Sequence, residues 1–170
     1  MSLAVLPGYL PIRSTLRWQR LAGLLVLLLL AGCAGPELRT QSGSGQAGLS
    51  IERALILANA RQALGTPYRY GGETLAGVDC SGLVQMAYAA AGIGLPRTAD
   101  QQFSRLPERD VARPGDLLFF GAGSTATHVG IYLGDRRMIH APGRGREVTT
   151  TSLELDYWHE NFLGAAGPAP

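Results

Sequence analysis

The hydrophobic pattern of this chain changes its period near position 110, and this change limits the fold more than any other feature. Before it, residues recur at helical spacing, as in the stripe formed by Ile51, Ala54, Leu55, Ala58 and Gln62. After it, short β-branched and aromatic runs alternate with turn residues. This order predicts an α+β domain, with N-terminal helices packed on a C-terminal antiparallel sheet of about five strands.

Three helices are predicted in the first half. The stripe belongs to the first helix, which has Ser50 as its N-cap and ends at Gly65. The second helix covers Ser81–Ala91 and stops at Gly92, and a capping-box pattern at residues 98–101, "TADQ", begins a short third one. The side of the second helix expected to be buried is Leu83, Val84, Ala87, Tyr88 and Ala91.

The strands are predicted from Leu117–Phe120 onward. Residues 128–141, "HVGIYLGDRRMIHA", indicate a hairpin with its turn at Gly134-Asp135. Val148–Thr150 and Asn161–Leu163 are two weaker strands. We therefore expect one folded domain over residues 50–164, followed by a short tail, "AAGPAP", at 165–170.

The first 32 residues have the order of a secretory signal rather than of a core helix. Three arginines, at positions 13, 17 and 20, precede a run of ten residues, 21–30, that is apolar except for one glycine. That run is shorter than the ~20 residues that a membrane-spanning helix needs. The pattern predicts a signal segment over residues 1–32.

The end of that segment, Leu30-Ala-Gly-Cys33, resembles the lipobox of bacterial lipoproteins. The resemblance implies that Cys33 carries lipid and anchors the protein to a membrane, because several acyl chains on one residue hold stably. In many lipoproteins of this kind, an aspartate after the lipidated cysteine retains the protein in the inner membrane. This chain has Ala34 there, so the resemblance implies the periplasmic face of the outer membrane. Residues 33–49 then form the lipidated cysteine and a flexible linker rich in Gly, Ser, Gln and Ala.

The charge of the chain argues against nucleic acid as a partner. The formal net charge is +2, but three of the 15 basic residues, all arginines, lie in the signal segment and none of the 13 acidic residues does. The remainder holds 12 arginines against 13 acids, a net charge of −1. No basic face of the kind that binds nucleic acid is predicted.

Cys80 is the first candidate for chemistry, because with Cys33 lipidated it has no disulfide partner. A Cys33–Cys80 bridge would require the lipobox match to be accidental. Cys80 opens the second helix, where the helix dipole is expected to lower the thiol pKa and favour the thiolate. The alternative is a small packed residue without a chemical role.

Two of the three histidines of the domain fall on the predicted hairpin. His128 begins its first strand and His140 ends its second, so pairing about the turn brings them side by side within about one residue. Such a pair can act as a base and its orienting partner for a thiol. His159, next to Trp158, is expected to be structural.

Four blocks carry a family resemblance: "PYRYGG" at 67–72, "DCSGLVQ" at 79–85, "RPGDLLFF" at 113–120 and "THVGIYLGDRRMIHAP" at 127–142. Their order and spacing resemble those of the NlpC-type, papain-like cysteine peptidases of the cell wall. The resemblance runs from about residue 51 to 162. It implies Cys80 as nucleophile, His128 as general base and His140 as the third member.

The same resemblance implies that Tyr68 borders the reacting carbonyl and, with the Cys80 N–H, holds the oxyanion. Asp79 and Ser81 are candidates for substrate binding; alternatively, they only cap the helix. No metal or other cofactor is implied. A Cys-His₂ zinc site at Cys80, His128 and His140 stays as an alternative.

The function that this resemblance implies is a thiol-dependent hydrolase that cuts amide bonds in peptidoglycan stem peptides or cross-links. Single-domain lipoproteins of that family look most like cross-link endopeptidases, so the resemblance favours the D-Ala–diaminopimelate cross-link over the γ-D-Glu–diaminopimelate bond. The alternative function is a lipoprotein that binds peptidoglycan without catalysis. The sequence identifies no adaptor or regulatory protease.

Overall fold

The computed structural model describes residues 49–167. The predicted signal segment, the lipid site at Cys33 and the linker as far as residue 48 lie outside the described residues, as does the tail from residue 168. In the described part, no helix is long and apolar enough to cross a bilayer.

The first helix, α1, spans Ile51–Gln62 and starts where the sequence predicts. The Ser50 hydroxyl accepts a hydrogen bond from the Arg53 backbone N–H at 3.3 Å, which satisfies one of the unpaired donors of the first turn. The stripe that the sequence shows does not face the core, however. Ile51 is 77% exposed and Leu55 is 41% exposed, and the buried residues lie on another face: Arg53, Ile56, Leu57 and Ala60.

An ion pair explains this rotation of α1. The Arg53 guanidinium donates to the Asp116 carboxylate at 2.9 Å, and both side chains are almost fully buried. A buried charge needs a partner, so Arg53 must face Asp116. Apolar residues occur on several sides of α1, and the ion pair selects which of them are buried.

Helices α2 (Cys80–Ala89) and α3 (Ala99–Arg105) follow at the predicted places. The Thr98 hydroxyl accepts from the Gln101 N–H at 3.2 Å, which caps α3. Just after α2, Gly92 adopts a positive φ of 74°, as expected of a residue that ends a helix. Between α1 and α2 lies a small hairpin that was not predicted, in which β1 (Glu73–Thr74) pairs with β2 (Gly77–Val78).

The second half forms one antiparallel sheet of five strands, as predicted. The strands are β3 (Leu117–Ala122), β4 (Thr125–Gly134), β5 (Arg137–His140), β6 (Thr149–Ser152) and β7 (Phe162–Ala166), in the order β6-β5-β4-β3-β7. Strand β7 continues two residues past the expected domain end at 164. A short helix that the sequence did not indicate, α4 (Asp156–Glu160), precedes it.

The β4–β5 hairpin turns one residue later than predicted, at Asp135 and Arg136 rather than at Gly134-Asp135. Both turn residues have positive φ, 49° and 54°, which is the conformation of a two-residue turn of type I′. Gly134 pairs with Arg137 across the turn, and the register then shifts between Tyr132 and Gly134. The shift determines which side chains of β4 and β5 meet farther along the hairpin.

The sheet divides the core into two layers, because alternate residues of each strand face opposite sides. One face, with Phe119, Val129 and Ile139, packs against α1 and α2 through Leu57, Val84 and other apolar residues. The other face forms a second cluster around Trp158 in α4. The helices thus cover one face of the sheet, with the start of α2 close to β4.

Candidate active site

Cys80 is the first residue of α2, which begins there because of Asp79. The Asp79 carboxylate accepts the Gly82 backbone N–H at 2.8 Å and so caps the helix. Glycine is required at position 82, since a Cβ there would lie 2.0 Å from the Gly72 carbonyl oxygen. Cys80 is partly buried, forms no disulfide with the described residues and borders a cleft of about 410 Å³.

The expected low thiol pKa is wrong for the resting protein. Burial raises the pKa of Cys80 above its ordinary value, and the negative charge of Asp79 raises it further. The backbone N–H groups of Val129, Ser81 and Cys80 itself are close enough to the sulfur to lower its pKa, but they do not offset burial. The N–H groups at the start of α2 thus favour the thiolate, as predicted. Burial outweighs them, so the resting Cys80 is a neutral thiol.

His128 and His140 are brought together as the sequence predicts. The Nε2 of His128 lies 2.8 Å from the Nδ1 of His140, and the ring planes are inclined at 85°. The Nε2 of His140 in turn lies 2.9 Å from the Thr151 hydroxyl on β6. The rings therefore form a hydrogen-bonded chain that starts at His128 and ends at Thr151.

The hairpin register explains why the two rings share a face. Ile131 pairs with Ile139, so the same register sets Gly130 opposite His140 and leaves His128 one diagonal step away. The missing side chain at Gly130 makes room, because a Cβ there would lie 3.4 Å from the His140 Cβ and 2.6 Å from the Met138 sulfur. The turn predicted from the sequence would have paired the strands one residue out of step and put the rings on opposite faces.

Both imidazoles are neutral at neutral pH. Burial lowers the pKa of His128 to about 4, with a further contribution from the nearby Arg146. Burial lowers the pKa of His140 to about 3, and His128 and Arg146 add to that effect. A neutral imidazole can accept a proton, which is the state that a general base requires.

Val129 connects the histidines to the thiol. Its backbone N–H is close enough to the Cys80 sulfur to lower the thiol pKa, and Val129 directly follows His128 in β4. The Nδ1 of His128 has no hydrogen-bond partner among residues 49–167, and no hydrogen bond joins that ring to Cys80 there. Nδ1 of His128 is therefore the ring nitrogen of the pair that is not used in the hydrogen bonds between His128, His140 and Thr151. Catalytic hydrogen bonds are often long before substrate binds.

Tyr68 also borders the cleft, as predicted. Its backbone N–H donates to the Arg146 carbonyl at 2.8 Å, which ties this residue to the loop after β5. Burial raises the pKa of the Tyr68 hydroxyl, and the charges of Cys80 and Asp79 raise it further. The phenol thus stays protonated and can act as a hydrogen-bond donor.

Asp79 and Ser81 are engaged with the protein itself. Arg97 donates to both Asp79 oxygens, at 3.0 and 2.7 Å, and to the Ser81 hydroxyl at 2.9 Å. Burial alone would raise the pKa of Asp79, but hydrogen bonds from Arg97, Gly82 and Gly71 together hold it below its usual range. Capping is therefore observed for Asp79, and the contact of Asp79 and Ser81 with substrate stays a prediction.

The geometry does not favour the zinc alternative. In a shared metal site the imidazole nitrogens point at the ion, whereas here Nε2 of His128 and Nδ1 of His140 point at each other. Among the described residues, no three Cys, His, Asp or Glu side chains are grouped so that they could hold a metal ion. His159 lies exposed in α4 and takes no part in the site.

Three residues of this site were not predicted from the sequence. Arg97 could have been found, because a buried carboxylate beside the thiol requires a cation. Thr151 carried no signal, since it is one of three successive threonines. Trp158 was noted only as a neighbour of His159, yet its ring stacks on His128 at 5.8 Å between centroids and meets His140 edge-on at 5.3 Å.

Comparisons with known proteins point to one family. Residues 65–167 match the family model described as NlpC/P60 family. Murein DD-endopeptidase MepH of Escherichia coli is 44% identical over 113 residues, which are 61% of this chain and 41% of that protein. The chain therefore spans less than half the length of that relative.

Two further similarities cover more of this chain. Probable endopeptidase NlpC of Escherichia coli is 39% identical over 151 residues, 84% of this chain and 94% of that protein. The crystal structure of an NlpC/P60 family protein from Bacillus cereus superposes with a TM-score of 0.66 at 30% identity, over 69% of this chain and 40% of that one. The predicted papain-like α+β fold is confirmed, and the chain belongs to the NlpC/P60 family.

Proposed function

We propose that this protein is a cysteine endopeptidase that hydrolyses amide bonds in the peptides of peptidoglycan. One observation carries the proposal. His128 and His140 are neutral and hydrogen-bonded, with 2.8 Å between Nε2 and Nδ1, and His128 precedes Val129, whose N–H lies close to the Cys80 sulfur. The relatives named above as endopeptidases support the same class of reaction.

The reaction begins with proton transfer from the Cys80 thiol to the Nδ1 of His128. The sulfur then attacks the amide carbonyl of the substrate and a tetrahedral oxyanion forms. We assign the Cys80 N–H and the Tyr68 hydroxyl as its donors, because that N–H is close to the sulfur and Tyr68 borders the same cleft with its hydroxyl protonated. Hydrogen bonds at this stage stabilise charge that the ground state does not carry.

The imidazolium of His128 gives its proton to the leaving amine, and the C–N bond breaks. A thioester between Cys80 and the acyl part of the substrate remains. His128 then takes a proton from water, and the resulting hydroxide attacks the thioester and returns the sulfur as thiol. His140 holds the His128 ring in place throughout, and no metal takes part in these steps.

The bond that we favour is the D-Ala–diaminopimelate cross-link. The support is the name of MepH as a murein DD-endopeptidase, at 44% identity to this chain. The γ-D-Glu–diaminopimelate bond is the second possibility, since the same catalytic residues can attack either amide. Product masses distinguish them, because cutting cross-links converts dimeric muropeptides into monomers, whereas cutting the other bond shortens the stem to a dipeptide.

We also propose that Cys33 carries lipid and holds the enzyme at the periplasmic face of the outer membrane. The support is the Leu30-Ala-Gly-Cys33 motif and the linker that separates it from the domain. Incorporation of labelled palmitate into the wild type, and its loss in Cys33→Ala, is the expected result. Recovery of both proteins in the soluble fraction would refute the anchor.

The activity is tested by incubating purified protein with sacculi and identifying the soluble products by mass spectrometry. We expect the wild type to release muropeptides, Cys80→Ala to release none, and alkylation of the thiol to abolish release. A chelator should have no effect; inhibition by the chelator would support the zinc alternative. Equal, negligible release by wild type and Cys80→Ala, with retained binding to sacculi, would support a peptidoglycan-binding protein without catalysis.

A further inference from the structure

Thr151 occupies the end of the hydrogen-bonded chain that begins at His128. It lies on β6, where Thr149 pairs in register with His140 and Thr151 pairs with Met138. The His140 ring reaches diagonally across this pairing, and its Nε2 lies 2.9 Å from the Thr151 hydroxyl. His140 is 3% exposed, so this hydroxyl is the partner that satisfies a deeply buried ring nitrogen.

The hydrogen bonds that link His128, His140 and Thr151 can all be donated in one of two directions. Each neutral imidazole carries one N–H, so a single tautomer on one ring fixes the tautomer on the other. In the first direction, His128 Nε2–H donates to His140 Nδ1, and His140 Nε2–H donates to the Thr151 oxygen. In the second, the Thr151 hydroxyl donates to His140 Nε2, and His140 Nδ1–H donates to His128 Nε2.

Only the first direction gives His128 a nitrogen that can act as a base toward the thiol. It leaves a lone pair on Nδ1 of His128, whereas the second leaves a proton there. That proton would have no hydrogen-bond acceptor among residues 49–167, whereas a lone pair can accept the thiol proton of Cys80. Thr151 suits the first direction, because it is only partly buried and can turn its own O–H toward water while its oxygen accepts.

We propose that Thr151 is a positioning residue: by accepting the Nε2–H of His140 it sets the tautomers of both rings and leaves Nδ1 of His128 as the proton acceptor. This proposal rests on the proposed function for its catalytic consequence, but the protonation pattern itself is independent of it. When His128 takes the thiol proton, its Nε2–H strengthens the hydrogen bond to His140. Thr151 then stabilises the positive charge through the same chain.

The direct test is nitrogen NMR of the full-length protein labelled with ¹⁵N-histidine, at neutral pH. Long-range correlations show which ring nitrogen carries the proton. We expect Nε2–H and an unprotonated Nδ1 on both His128 and His140. An Nδ1–H on His128 in the wild type would overturn the proposal, whatever the protein does to sacculi.

Variants of β6 test whether Thr151 is the cause. Thr151→Val keeps the shape but removes the hydroxyl, and should give mixed tautomers on both rings and about a tenfold lower kcat/KM with KM unchanged, the effect of one lost hydrogen bond. Thr151→Ser should restore the wild-type spectrum and rate. Thr149→Val is the matched control, because Thr149 lies two residues earlier on the same face of β6 and its side chain makes no hydrogen bond to a described residue.

The rate of Cys80 alkylation by iodoacetamide gives a readout that needs no peptidoglycan. Thr151→Val should slow alkylation near neutral pH about tenfold, whereas Thr151→Ser and Thr149→Val should match the wild type. Unchanged spectra and alkylation in Thr151→Val, or equal effects in Thr149→Val, would refute the role of Thr151. If the spectra follow the expectation while sacculi stay intact, the proposed function fails and the role of Thr151 in setting the tautomers stands.

Discussion

Asp79 and Arg97 form a two-point ion pair next to the Cys80 thiol, with N···O distances of 3.0 and 2.7 Å. Arg97 also contacts Glu73 at 2.6 Å, so it joins the β1–β2 hairpin to the start of α2. The pair has an electrostatic consequence, because the charge of Asp79 raises the pKa of Cys80. Arg97 neutralises a carboxylate that would otherwise oppose thiolate formation.

We predict that Arg97→Met lowers both stability and thiol reactivity. Loss of charged hydrogen bonds should reduce the free energy of unfolding by about 1–3 kcal/mol. The uncompensated Asp79 should raise the thiol pKa, so the pH profile of Cys80 alkylation should move to higher pH. Arg105→Met, an exposed arginine of α3, is the control. An alkylation profile that stays with that of Arg105→Met would contradict the electrostatic role.

The three histidines of the domain should differ in their importance for hydrolysis. His128→Ala removes the proton acceptor and should reduce the release of muropeptides by about 10²–10⁴-fold. His140→Asn keeps polar atoms near His128 and should cause a smaller loss. His159→Ala should be neutral, since His159 is exposed in α4. Equal rates for His128→Ala and His159→Ala would remove His128 from the mechanism.

Stability should fall as the pH falls through the range set by the buried imidazoles. The folded pKa of His128 is about 4, against 6.5 for an ordinary histidine, so the unfolded chain binds more protons between these values. The stability contribution is complete above about pH 6.5 and is lost progressively toward pH 4, by about 2–3 kcal/mol from His128. His140, with a pKa of about 3, acts in the same direction.

Urea unfolding at pH 7.5 and at pH 4.5 measures this loss. The double variant His128→Gln/His140→Gln should show a much smaller difference between the two pH values, even if it is less stable at both. His159→Gln should keep the wild-type difference. The explanation fails if the double variant retains the full pH dependence.

Local sequence signals were sufficient for much of the fold. Ser50, Asp79 and Thr98 are side chains that cap helices through their own hydrogen bonds, so the starts of α1, α2 and α3 could be placed without tertiary information. The five strands and the β4–β5 hairpin followed from their β-branched runs and turn residues. That hairpin placed His128 and His140 within about one residue of each other, but the face that the two rings share depends on the later turn and on the register shift after Tyr132, which the sequence did not indicate.

The remaining features depend on contacts between distant residues. The buried face of α1 is set by the pairing of Arg53 with Asp116, 63 positions later. The thiol pKa depends on how deeply Cys80 is buried, which a helix start alone does not reveal. The place of Thr151 depends on the register of β6 against β5, because a slip of one residue would turn its side chain to the other face.

Gly130→Ala should impair both the fold and the histidine pair. A Cβ at this position would lie 2.6 Å from the Met138 sulfur, 3.3 Å from the Ile139 carbonyl oxygen and 3.4 Å from the His140 Cβ. The Met138 sulfur must therefore move and strand β5 must yield by a few tenths of an ångström, which together should cost about 1–3 kcal/mol of stability. Because His140 moves with β5, hydrolysis should decrease even under conditions where the variant is fully folded.

Gly94→Ala is the matched control for Gly130→Ala. A Cβ at Gly94 meets no atom within 4 Å, so this substitution should leave stability within about 0.5 kcal/mol and activity unchanged. Urea unfolding gives the stability of each variant, and ¹⁵N spectra of the histidines report whether the His128–His140 hydrogen bond persists. Wild-type spectra and rates in Gly130→Ala would mean that the close approach of β5 to β4 does not determine the geometry of the pair.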